Sequence, residues 1–209
     1  MLPLKDRPTM ADAVRWLVTE GKADTFVETG TGKGDTALWA GHIFSRVYTI
    51  EEDLETFRTF FFRRTGERFQ RAKVKNRDLP ITQLFGDSRS VLPENVFPSL
   101  EGHTPVFWLD AHRVTEPTGS PVLAEVTLIR EWGKPCVILI DDYTLFTLQP
   151  KDKKEQSGWP NVFEILKLLK GLDVRICDDI IVAVDLSACT AKDIIYSKHP
   201  YRMEAFDHD

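Results

Sequence analysis

Short apolar runs alternate with amphipathic segments along most of the chain. The apolar runs are predicted as strands at 25–28, 46–50, 81–85, 105–110 and 136–141. The intervening segments have apolar residues at helical spacing and predict helices at 35–44, 54–70 and 122–132, with a short helix within 88–100. This alternation is typical of a mostly parallel sheet with helices on both faces. We therefore expect a Rossmann-like, doubly wound α/β fold with about seven strands.

The C-terminal part of the pattern predicts a different strand arrangement. A helix is expected at 161–170, followed by strands at 174–177 and 180–184 around the turn Asp178-Asp179. The last strand is therefore predicted to run antiparallel to its neighbours. At the other end, residues 1–22 form a predicted helical segment whose helix, 9–19, has Thr9 as a candidate N-cap.

Segment 144–160 is polar and directly follows an apolar strand. It is compatible with a solvated loop or with a lid, because loops after the carboxyl ends of strands line the ligand crevice in such sheets. No repeat or linker divides the sequence, and residues 1–209 are expected to form a single domain.

Composition and charge narrow the range of partners. The chain is 42% hydrophobic and 28% charged, as in ordinary soluble globular proteins, and its formal net charge of −5 gives no overall attraction to nucleic acid or anionic membranes. The Phe- and Arg-rich run 57–64 could stack on nucleic acid, but its spacing is better explained by a helix with Phe packed inward. We expect neither nucleic acid nor a membrane as a partner, whereas a homodimer is compatible with the sequence.

The cysteines and the N-terminus favour a cytoplasmic location. Cys136, Cys177 and Cys189 are an odd number without a close pair, which indicates core residues or free thiols rather than a disulfide framework. The N-terminus has charged residues where a secretory signal needs an apolar core, and no apolar run approaches the roughly 20 residues that span a bilayer.

The strongest chemical signal is the glycine turn Glu28-Thr-Gly30-Thr-Gly32-Lys-Gly34 after the first strand. Glycines allow a sharp turn and a close approach of backbone to ligand. A dinucleotide fingerprint needs a third glycine where this chain has Asp35, so a nicotinamide oxidoreductase is the weakest alternative. The spacing of a phosphate-binding P-loop is also absent. Glu28 would repel a pyrophosphate but suits a cationic ligand that carries an amino group.

Residues 28–34 resemble the first motif, E/D-x-G-x-G-x-G, of the class I S-adenosylmethionine (SAM)-dependent methyltransferases. The resemblance implies that Gly30, Gly32 and Gly34 pack against the methionine part of SAM, near Glu28. Without the resemblance, the same turn is compatible with a strand-to-helix connection that binds no ligand.

The second strand leads into Glu51-Glu52-Asp53. In the family that the chain resembles, an acid at this place binds both ribose hydroxyls of SAM, and a carboxylate accepts two hydrogen bonds from a diol well. Glu51 directly follows the apolar run and is the preferred candidate. The alternative is that these acids favour the N-terminus of the next helix, where Asp53 is expected to be the cap.

The third strand leads into Gly86-Asp87-Ser88. This turn resembles the adenine-binding corner of the same family, in which Asp87 would accept a hydrogen bond from the exocyclic amine and Ser88 would lie beside the cofactor. The alternative is a helix cap, which either Asp87 or Ser88 would provide.

Acidic residues appear abruptly at the ends of the fourth and fifth strands, as Asp110 and as the pair Asp141-Asp142. If the two strands are neighbours, three carboxylates converge and repel one another. A divalent cation would relieve this repulsion, and oxygen ligands favour Mg²⁺, with Mn²⁺ or Ca²⁺ as alternatives.

This arrangement resembles the metal-dependent O-methyltransferases of the catechol type, which have an Asp after strand four and an Asp-Asn or Asp-Asp pair after strand five. The resemblance implies that Asp110, Asp141 and Asp142 are metal ligands, and that Asp110 also lies beside SAM. The metal would bind the oxygens of the acceptor and lower the pKa of the hydroxyl to be methylated.

The run Phe107-Trp-Leu-Asp-Ala-His112, followed by a helix beginning Pro121-Val-Leu-Ala-Glu125, carries a second resemblance. It is similar to bacterial SAM-dependent methyltransferase-like proteins associated with polysaccharide or natural-product pathways. The similarity covers residues 26–143 and leaves the C-terminal third without an interpretation.

The chain departs from the catechol pattern after Asp110. Those enzymes have a lysine as general base there, whereas this chain has His112 and Arg113. Arg113 stays protonated, so His112 is the better proton acceptor, and Arg113 could hold an anionic group of the acceptor. Alternatively, His112 is a metal ligand, which favours manganese, iron or zinc, or it only hydrogen-bonds the loop. The candidate catalytic residues are thus Asp110, His112 and Arg113.

Taken with the resemblances, the sequence predicts a SAM-dependent methyltransferase that O-methylates a small hydroxylated molecule with the help of a divalent metal. Two alternatives stay open. One is an enzyme that uses SAM in another reaction, and the other is a SAM-binding module without turnover.

Overall fold

A computed structural model describes residues 3–65, 78–111, 120–148, 160–187 and 189–196. Its strands are β1 Thr25–Thr29, β2 Arg46–Glu51, β3 Ile81–Phe85, β4 Pro105–Leu109, β5 Cys136–Ile140, β6 Asp173–Cys177 and β7 Ile180–Asp185. They form one seven-stranded sheet in the order β3-β2-β1-β4-β5-β7-β6. The first five strands are parallel, and β7 pairs antiparallel with both β5 and β6. The predicted fold class and strand arrangement are confirmed.

The central strands are buried on both faces of the sheet. Every residue of β1, β4 and β5 is buried, which explains why these strands are continuous apolar runs in the sequence. Successive residues of β4 alternate between two cores: Trp108 packs into one and Phe107 into the other. Because apolar side chains cover both faces, the polar residues of the strands are concentrated at the strand ends.

Helices cover the two faces of the sheet. They are α1 Pro8–Thr19, α2 Asp35–Ala40, α3 Leu54–Thr65, α4 Ser88–Val91, α5 Val122–Trp132, α6 Tyr143–Leu148, α7 Val162–Leu168 and α8 Ala191–Ile195. Side chains of α1, α2 and α8 share one core, whereas those of α5 and α7 share the other. Among the described residues, no helix is long and apolar enough to cross a membrane.

Several predicted helix boundaries are corrected by the structure. The helix predicted at 35–44 ends at Ala40 and is followed by the C-cap Gly41, where an added Cβ would lie 3.0 Å from Ile81 Cδ1. Thr9 is not an N-cap, since α1 begins at Pro8, whose ring suits the first helical position. The helix predicted at 54–70 is described up to Thr65, and the rest of that prediction lies outside the described residues.

Segment 144–160 was predicted as a loop, and this prediction is wrong for its first residues, 144–148. Residues Tyr143–Leu148 form α6, whose first turn is held by the hairpin between β6 and β7. Tyr143 N donates to Asp179 O at 2.9 Å, and Thr144 N donates to Asp179 Oδ1 at 2.7 Å. Asp179 is distant in sequence, so a local pattern could not predict this helix. Residues 149–159 lie outside the described part of the chain. The sequence pattern did not predict helix α8.

All three cysteines are free, as predicted. Cys136 and Cys189 are buried, and Cys177 is half-buried. Burial raises the pKa of the Cys136 thiol to about 12, so it is a core residue rather than a nucleophile.

Candidate active site

A cleft with a volume of about 450 Å³ lies at the carboxyl ends of β1, β2, β3 and β4. This volume is within the range of small-molecule sites, about 300–1,000 Å³. Backbone hydrogen bonds continue one step beyond the strands and fix the residues that follow them: Asp110 N donates to Thr29 O at 3.1 Å, and Gly86 N donates to Glu51 O at 3.0 Å. The cleft is therefore built on the ordered edge of the sheet, as expected for this fold.

The glycine turn forms the floor of the cleft. Gly30, Gly32 and Gly34 have φ values of 82°, 51° and 73°, which disfavour residues with a Cβ atom. A Cβ on Gly30 would lie 2.5 Å from Asp110 O, and one on Gly34 would collide with the ring of Phe60. In contrast, nothing lies within 4 Å of the corresponding position on Gly32, so this residue faces open space. Two of the glycines are thus required by packing, and the middle one leaves room at the cleft.

Glu28 is buried beneath the turn and is 2% exposed. Thr49 Oγ1 donates to Glu28 Oε2 at 2.5 Å, and the Thr49 and Thr31 hydroxyls are 2.6 Å apart. Burial raises the pKa of Glu28 well above its ordinary value, and the nearby Asp110 and Glu51 raise it further, against the hydrogen bond from Thr49. The carboxyl group is thus held in place by neutral donors and would gain from a cationic ligand.

Glu51 ends β2 and is 4% exposed. Its Oε2 accepts a hydrogen bond from Gly32 N at 3.0 Å, and its Oε1 accepts one from Asp53 N at 3.0 Å. The side chain therefore connects the glycine turn to the beginning of α3. Asp53 is the N-cap predicted for that helix, since its Oδ1 accepts from Thr56 N at 2.8 Å. Glu51 lines the cleft at the position proposed for a ribose, and a carboxylate is a suitable acceptor for two hydroxyl groups.

Asp87 combines a cap with an ion pair. Its side chain accepts from Arg89 N and caps α4, as one reading of the sequence predicted. The Arg89 guanidinium also binds both carboxylate oxygens, with Nε 2.9 Å from each, and thereby holds the pKa of Asp87 below its ordinary value. Asp87 and Arg89 both line the cleft, so they place an ion pair at its rim.

Ser88 lies at the same corner but is directed to a buried partner. Its Oγ donates to Glu125 Oε1 at 2.6 Å, and Glu125 is 1% exposed. Ser88 lines the cleft, while its hydroxyl proton is donated to Glu125 of α5. In the sequence, Glu125 is part of the motif that begins at Pro121, and nothing local indicates its hydrogen bond to Ser88. An acid amid the apolar residues of an amphipathic helix was the available signal.

The structure brings Asp110, Asp141 and Asp142 together. One oxygen from each carboxylate lies within 4.8 Å of the others. Asp110 follows β4, and Asp141 N donates to Leu109 O at 3.2 Å, so the two neighbouring parallel strands align the acids. Asp142 has a φ of 57°, a left-handed conformation that short polar side chains tolerate, and its N donates to Asp141 Oδ1 at 2.8 Å. These three residues are called the acid cluster below.

Within the described part of the chain, Arg7 is a cation that reaches this cluster, and no sequence pattern predicted it. Its Nη2 lies 2.5 Å from Asp141 Oδ1 and 3.9 Å from Asp142 Oδ1. Its Nη1 donates to Asp178 O, in the hairpin turn between β6 and β7. Arg7 precedes α1, far from the acids in sequence, and only the folded chain brings them together. No local signal in the sequence identifies it.

His112 and Arg113, the other candidate catalytic residues, lie outside the described residues. Ala111, which directly precedes His112 in the sequence, lines the cleft together with Asp110. The chain therefore leaves the described part of the fold at the junction between the cleft and the acid cluster.

The charge of the cleft is mainly negative. Among the described residues, the acidic lining residues are Glu28, Asp35, Glu51, Glu52, Asp87 and Asp110, and the basic ones are Lys33 and Arg89. Such a lining disfavours phosphate-rich ligands and favours a ligand with positive charge. SAM carries a sulfonium and an ammonium group, and the open space at Gly32 leaves room for backbone approach, so these residues fit SAM.

The acid cluster fits a divalent cation by its donor chemistry. Carboxylate oxygens from three residues are ligands that Mg²⁺ and Mn²⁺ prefer, and the spacing of these oxygens allows them to share one ion. Among the described residues, Arg7 contributes one positive charge to the same cluster through its ion pair with Asp141.

Comparisons by sequence and by structure give different results. No family model matches the sequence. No curated protein matches it either. The structure, by contrast, is similar to many solved structures.

Three similar structures illustrate the range. One is the O-methyltransferase TomG from Streptomyces achromogenes, which is involved in tomaymycin synthesis and was solved with SAM. Its sequence is 18% identical and the TM-score is 0.56, and the match covers 85% of this chain and 79% of TomG. A candidate caffeoyl-CoA O-methyltransferase from Staphylococcus aureus is 12% identical, with a TM-score of 0.55 and coverages of 84% and 82%. The O-methyltransferase from Bacillus cereus, solved with S-adenosylhomocysteine (SAH), is 16% identical, with a TM-score of 0.51 and coverages of 85% and 81%. The chain therefore has the fold of the class I SAM-dependent methyltransferases.

Proposed function

We propose that this protein is a SAM-dependent methyltransferase that acts on a hydroxyl group of a small acceptor, assisted by a divalent cation. One observation carries the proposal: Asp110 belongs to both the cofactor cleft and the acid cluster. A methyl donor in the cleft and an acceptor oxygen at the cluster would therefore meet beside one residue, and methyl transfer depends mainly on such positioning. The fold shared with SAM-dependent O-methyltransferases supports the same function.

The residues that line the cleft support a specific set of proposed cofactor contacts. Glu28 and Asp110 would lie near the amino and sulfonium groups of SAM, where their negative charge is favourable. Glu51 would accept hydrogen bonds from the ribose hydroxyls, and its own bonds to Gly32 N and Asp53 N hold its carboxylate in place for this task. Asp87 would accept from the exocyclic amine of adenine at the rim of the cleft.

The reaction would take place between the cleft and the acid cluster. When bound, SAM supplies an activated methyl group, and a divalent cation at the cluster makes an acceptor hydroxyl easier to deprotonate. Asp110, Asp141 and Asp142 would hold that cation. The backbone bonds of Asp110 and Asp141 to the neighbouring strands would keep their carboxylates in position without reorganisation.

His112 and Arg113 complete the proposal as the base and the acceptor contact. His112 follows two residues that belong to the site, and its ordinary pKa near 6.5 suits a proton acceptor at neutral pH. Arg113 stays protonated and would bind an anionic group of the acceptor, such as a carboxylate or phosphate. His112→Gln should lower kcat with little change in SAM affinity, whereas Arg113→Gln should mainly raise the KM for an anionic acceptor.

The first experiment measures cofactor binding and the fate of SAM. Isothermal titration should show binding of SAM, weakened at least about tenfold in Glu51→Gln, which loses the charge while keeping the shape. Incubation with a panel of hydroxylated small molecules, followed by mass spectrometry, should yield SAH together with a product that is heavier by one methyl group. Formation of methylthioadenosine instead of SAH would show that the protein uses SAM in a reaction other than methyl transfer. Binding without any consumption of SAM across the panel would contradict an enzymatic role.

The second experiment tests the metal. Turnover of the same acceptor should fall on treatment with a chelator, return on addition of Mg²⁺ or Mn²⁺, and be lost in Asp141→Asn. SAM affinity should stay within about threefold in that variant, because Asp141 does not line the cleft. Turnover that is unchanged by the chelator and by Asp141→Asn would exclude metal assistance and leave SAM-dependent transfer in place.

A further inference from the structure

The N-terminal segment connects the two parts of the site. Leu4 is fully buried, and its N lies 3.3 Å from Thr36 Oγ1, at the beginning of α2. Pro3 lines the cleft, and Arg7, four residues later, reaches the acid cluster. Residues 3–7 are thus anchored at the beginning of α2 on one side and at Asp141 on the other.

The position of Arg7 is unusual for a charged side chain. Only about a tenth of the Arg7 side chain is exposed, and the Asp141 side chain is not exposed at all. Two charges are buried in this way only when each compensates the other. The same guanidinium also reaches toward Asp142 and donates to Asp178 O, so it is held from two sides.

We propose that Arg7 is a built-in counter-cation of the acid cluster, which stabilises the metal-free protein and lowers the affinity of the cluster for divalent cations. Without a metal, the three carboxylates repel one another, and Arg7 offsets part of this repulsion through Asp141. A divalent cation that enters the cluster meets a positive charge already bound to one of its ligands. Arg7 and the metal are therefore antagonistic, and each weakens the hold of the cluster on the other.

This inference rests on the metal part of the proposed function and assigns a role to a residue outside the cofactor cleft. It implies that the cluster requires a higher free metal concentration than three carboxylates alone would need. It also implies that the N-terminal segment, which Arg7 ties to the cluster, is held most firmly in the metal-free protein.

The test compares Arg7→Gln with wild type in Mn²⁺ titrations, in which the spectrum of free Mn²⁺ is followed by electron paramagnetic resonance. Arg7→Gln removes the charge and should bind Mn²⁺ about tenfold more tightly or better. Arg7→Lys keeps the charge and should stay within about threefold of wild type. Arg58→Gln, which removes an exposed arginine paired with Glu55 on α3, is the matched control and should leave Mn²⁺ affinity unchanged.

Thermal unfolding supplies a readout that does not depend on activity. Metal-free Arg7→Gln should melt at a temperature lower by on the order of 10 °C, since the buried Asp141 loses the guanidinium that pairs with it. Saturating Mn²⁺ should restore most of the lost melting temperature. The double variant Arg7→Gln/Asp141→Asn should recover the melting temperature without metal. Recovery would identify the loss as one of charge balance rather than of packing.

The proposal is overturned by unchanged or weaker Mn²⁺ binding in Arg7→Gln, including no binding in either protein. It is equally overturned by a loss of stability that Asp141→Asn does not reverse. Neither result affects SAM-dependent methyl transfer, which is measured separately by the formation of SAH.

Discussion

The backbone oxygen of Asp110 lies 2.5 Å from the position that a Cβ atom would take on Gly30. Gly30 has a φ of 82°, and Asp110 N donates to Thr29 O at 3.1 Å, so the two chain segments are held in contact from both sides. The glycine turn and the end of β4 thus form one junction. The cofactor cleft lies on one side of this junction, and the acid cluster begins on the other.

Gly30→Ala should damage both stability and cofactor binding. The added methyl group meets backbone atoms that cannot turn away, and φ is in the left-handed region, so we expect a loss of about 2–5 kcal/mol in the free energy of unfolding. Any rearrangement that relieves the collision moves Asp110 and should weaken SAM binding at least about tenfold. Urea unfolding and isothermal titration measure the two effects.

Gly102→Ala is the matched control, because Gly102 has a φ of 76° and nothing lies within 4 Å of its Cβ position. Gly102→Ala should lower the free energy of unfolding only by the cost of a left-handed alanine, about 1–2 kcal/mol, and should leave SAM affinity unchanged. Equal losses in the two variants would contradict the role assigned to the Gly30–Asp110 contact.

SAM binding should release a proton from Glu28 at pH values above the ordinary glutamate pKa. The pKa of Glu28 is raised in the free protein, chiefly by burial, so the carboxyl group is protonated above the ordinary glutamate value. A cationic ligand favours the ionised form, and binding therefore expels the proton. Affinity for SAM should rise with pH until Glu28 is ionised in the free protein, and then level off.

Isothermal titration in two buffers with different ionisation enthalpies counts the protons released. Glu28→Gln cannot ionise and should bind SAM more weakly, without that proton release and with a flatter pH profile. Asp12→Asn, which removes an exposed acid of α1, should behave as wild type. Proton release that persists in Glu28→Gln would assign the titration to another group.

The sheet and the outline of the site could be predicted from the sequence because each depends on local patterns. Buried parallel strands are continuous apolar runs, and a strand that ends abruptly in an acid places that acid at the sheet edge. Glu28, Glu51 and Asp110, each of which follows or ends such a strand, accordingly line the cleft. The glycine turn could be predicted for a similar reason. The positive φ values of Gly30, Gly32 and Gly34, and the close packing at Gly30 and Gly34, leave little choice of residue at these positions.

The site residues that could not be predicted from the sequence owe their positions to contacts between distant parts of the chain. Arg7 contacts Asp178, 171 positions away, and Ser88 contacts Glu125, 37 positions away. Helix α6 begins where it does because Asp179 accepts its first amide groups. A periodic pattern records which face of an element is buried, but it does not record which distant polar group lies opposite. Arginines and glutamates that are buried only with a partner are therefore the hardest site residues to find from sequence.

The acidic lining should make the cleft prefer SAM over SAH. The two ligands differ by a methyl group and one positive charge, and the charge is favourable among these acids. We expect SAM to bind several-fold more tightly at low ionic strength, with the ratio falling as salt is added. Glu52→Gln should reduce the ratio by about twofold, since Glu52 is exposed at the cleft and its charge is screened.

Glu20→Gln removes an exposed acid at the end of α1 and should leave the ratio unchanged. Competition titrations with both ligands at two salt concentrations provide the measurement. A preference for SAH, or a ratio that does not respond to salt, would contradict an electrostatic origin.

Ser88→Ala should lower stability more than it lowers SAM affinity. The Ser88 hydroxyl donates to the buried Glu125 carboxyl at 2.6 Å, so its removal takes away a donor where water has little access. We expect a loss of about 1–3 kcal/mol in the free energy of unfolding, with SAM affinity within about threefold of wild type.

In a double-mutant cycle with Glu125→Gln, the two losses should not add, because both variants disturb one hydrogen bond. Ser99→Ala, which removes an exposed hydroxyl bonded to Asn95 O, should cost little. A tenfold loss of SAM affinity in Ser88→Ala without a loss of stability would instead make Ser88 a direct contact of the adenine.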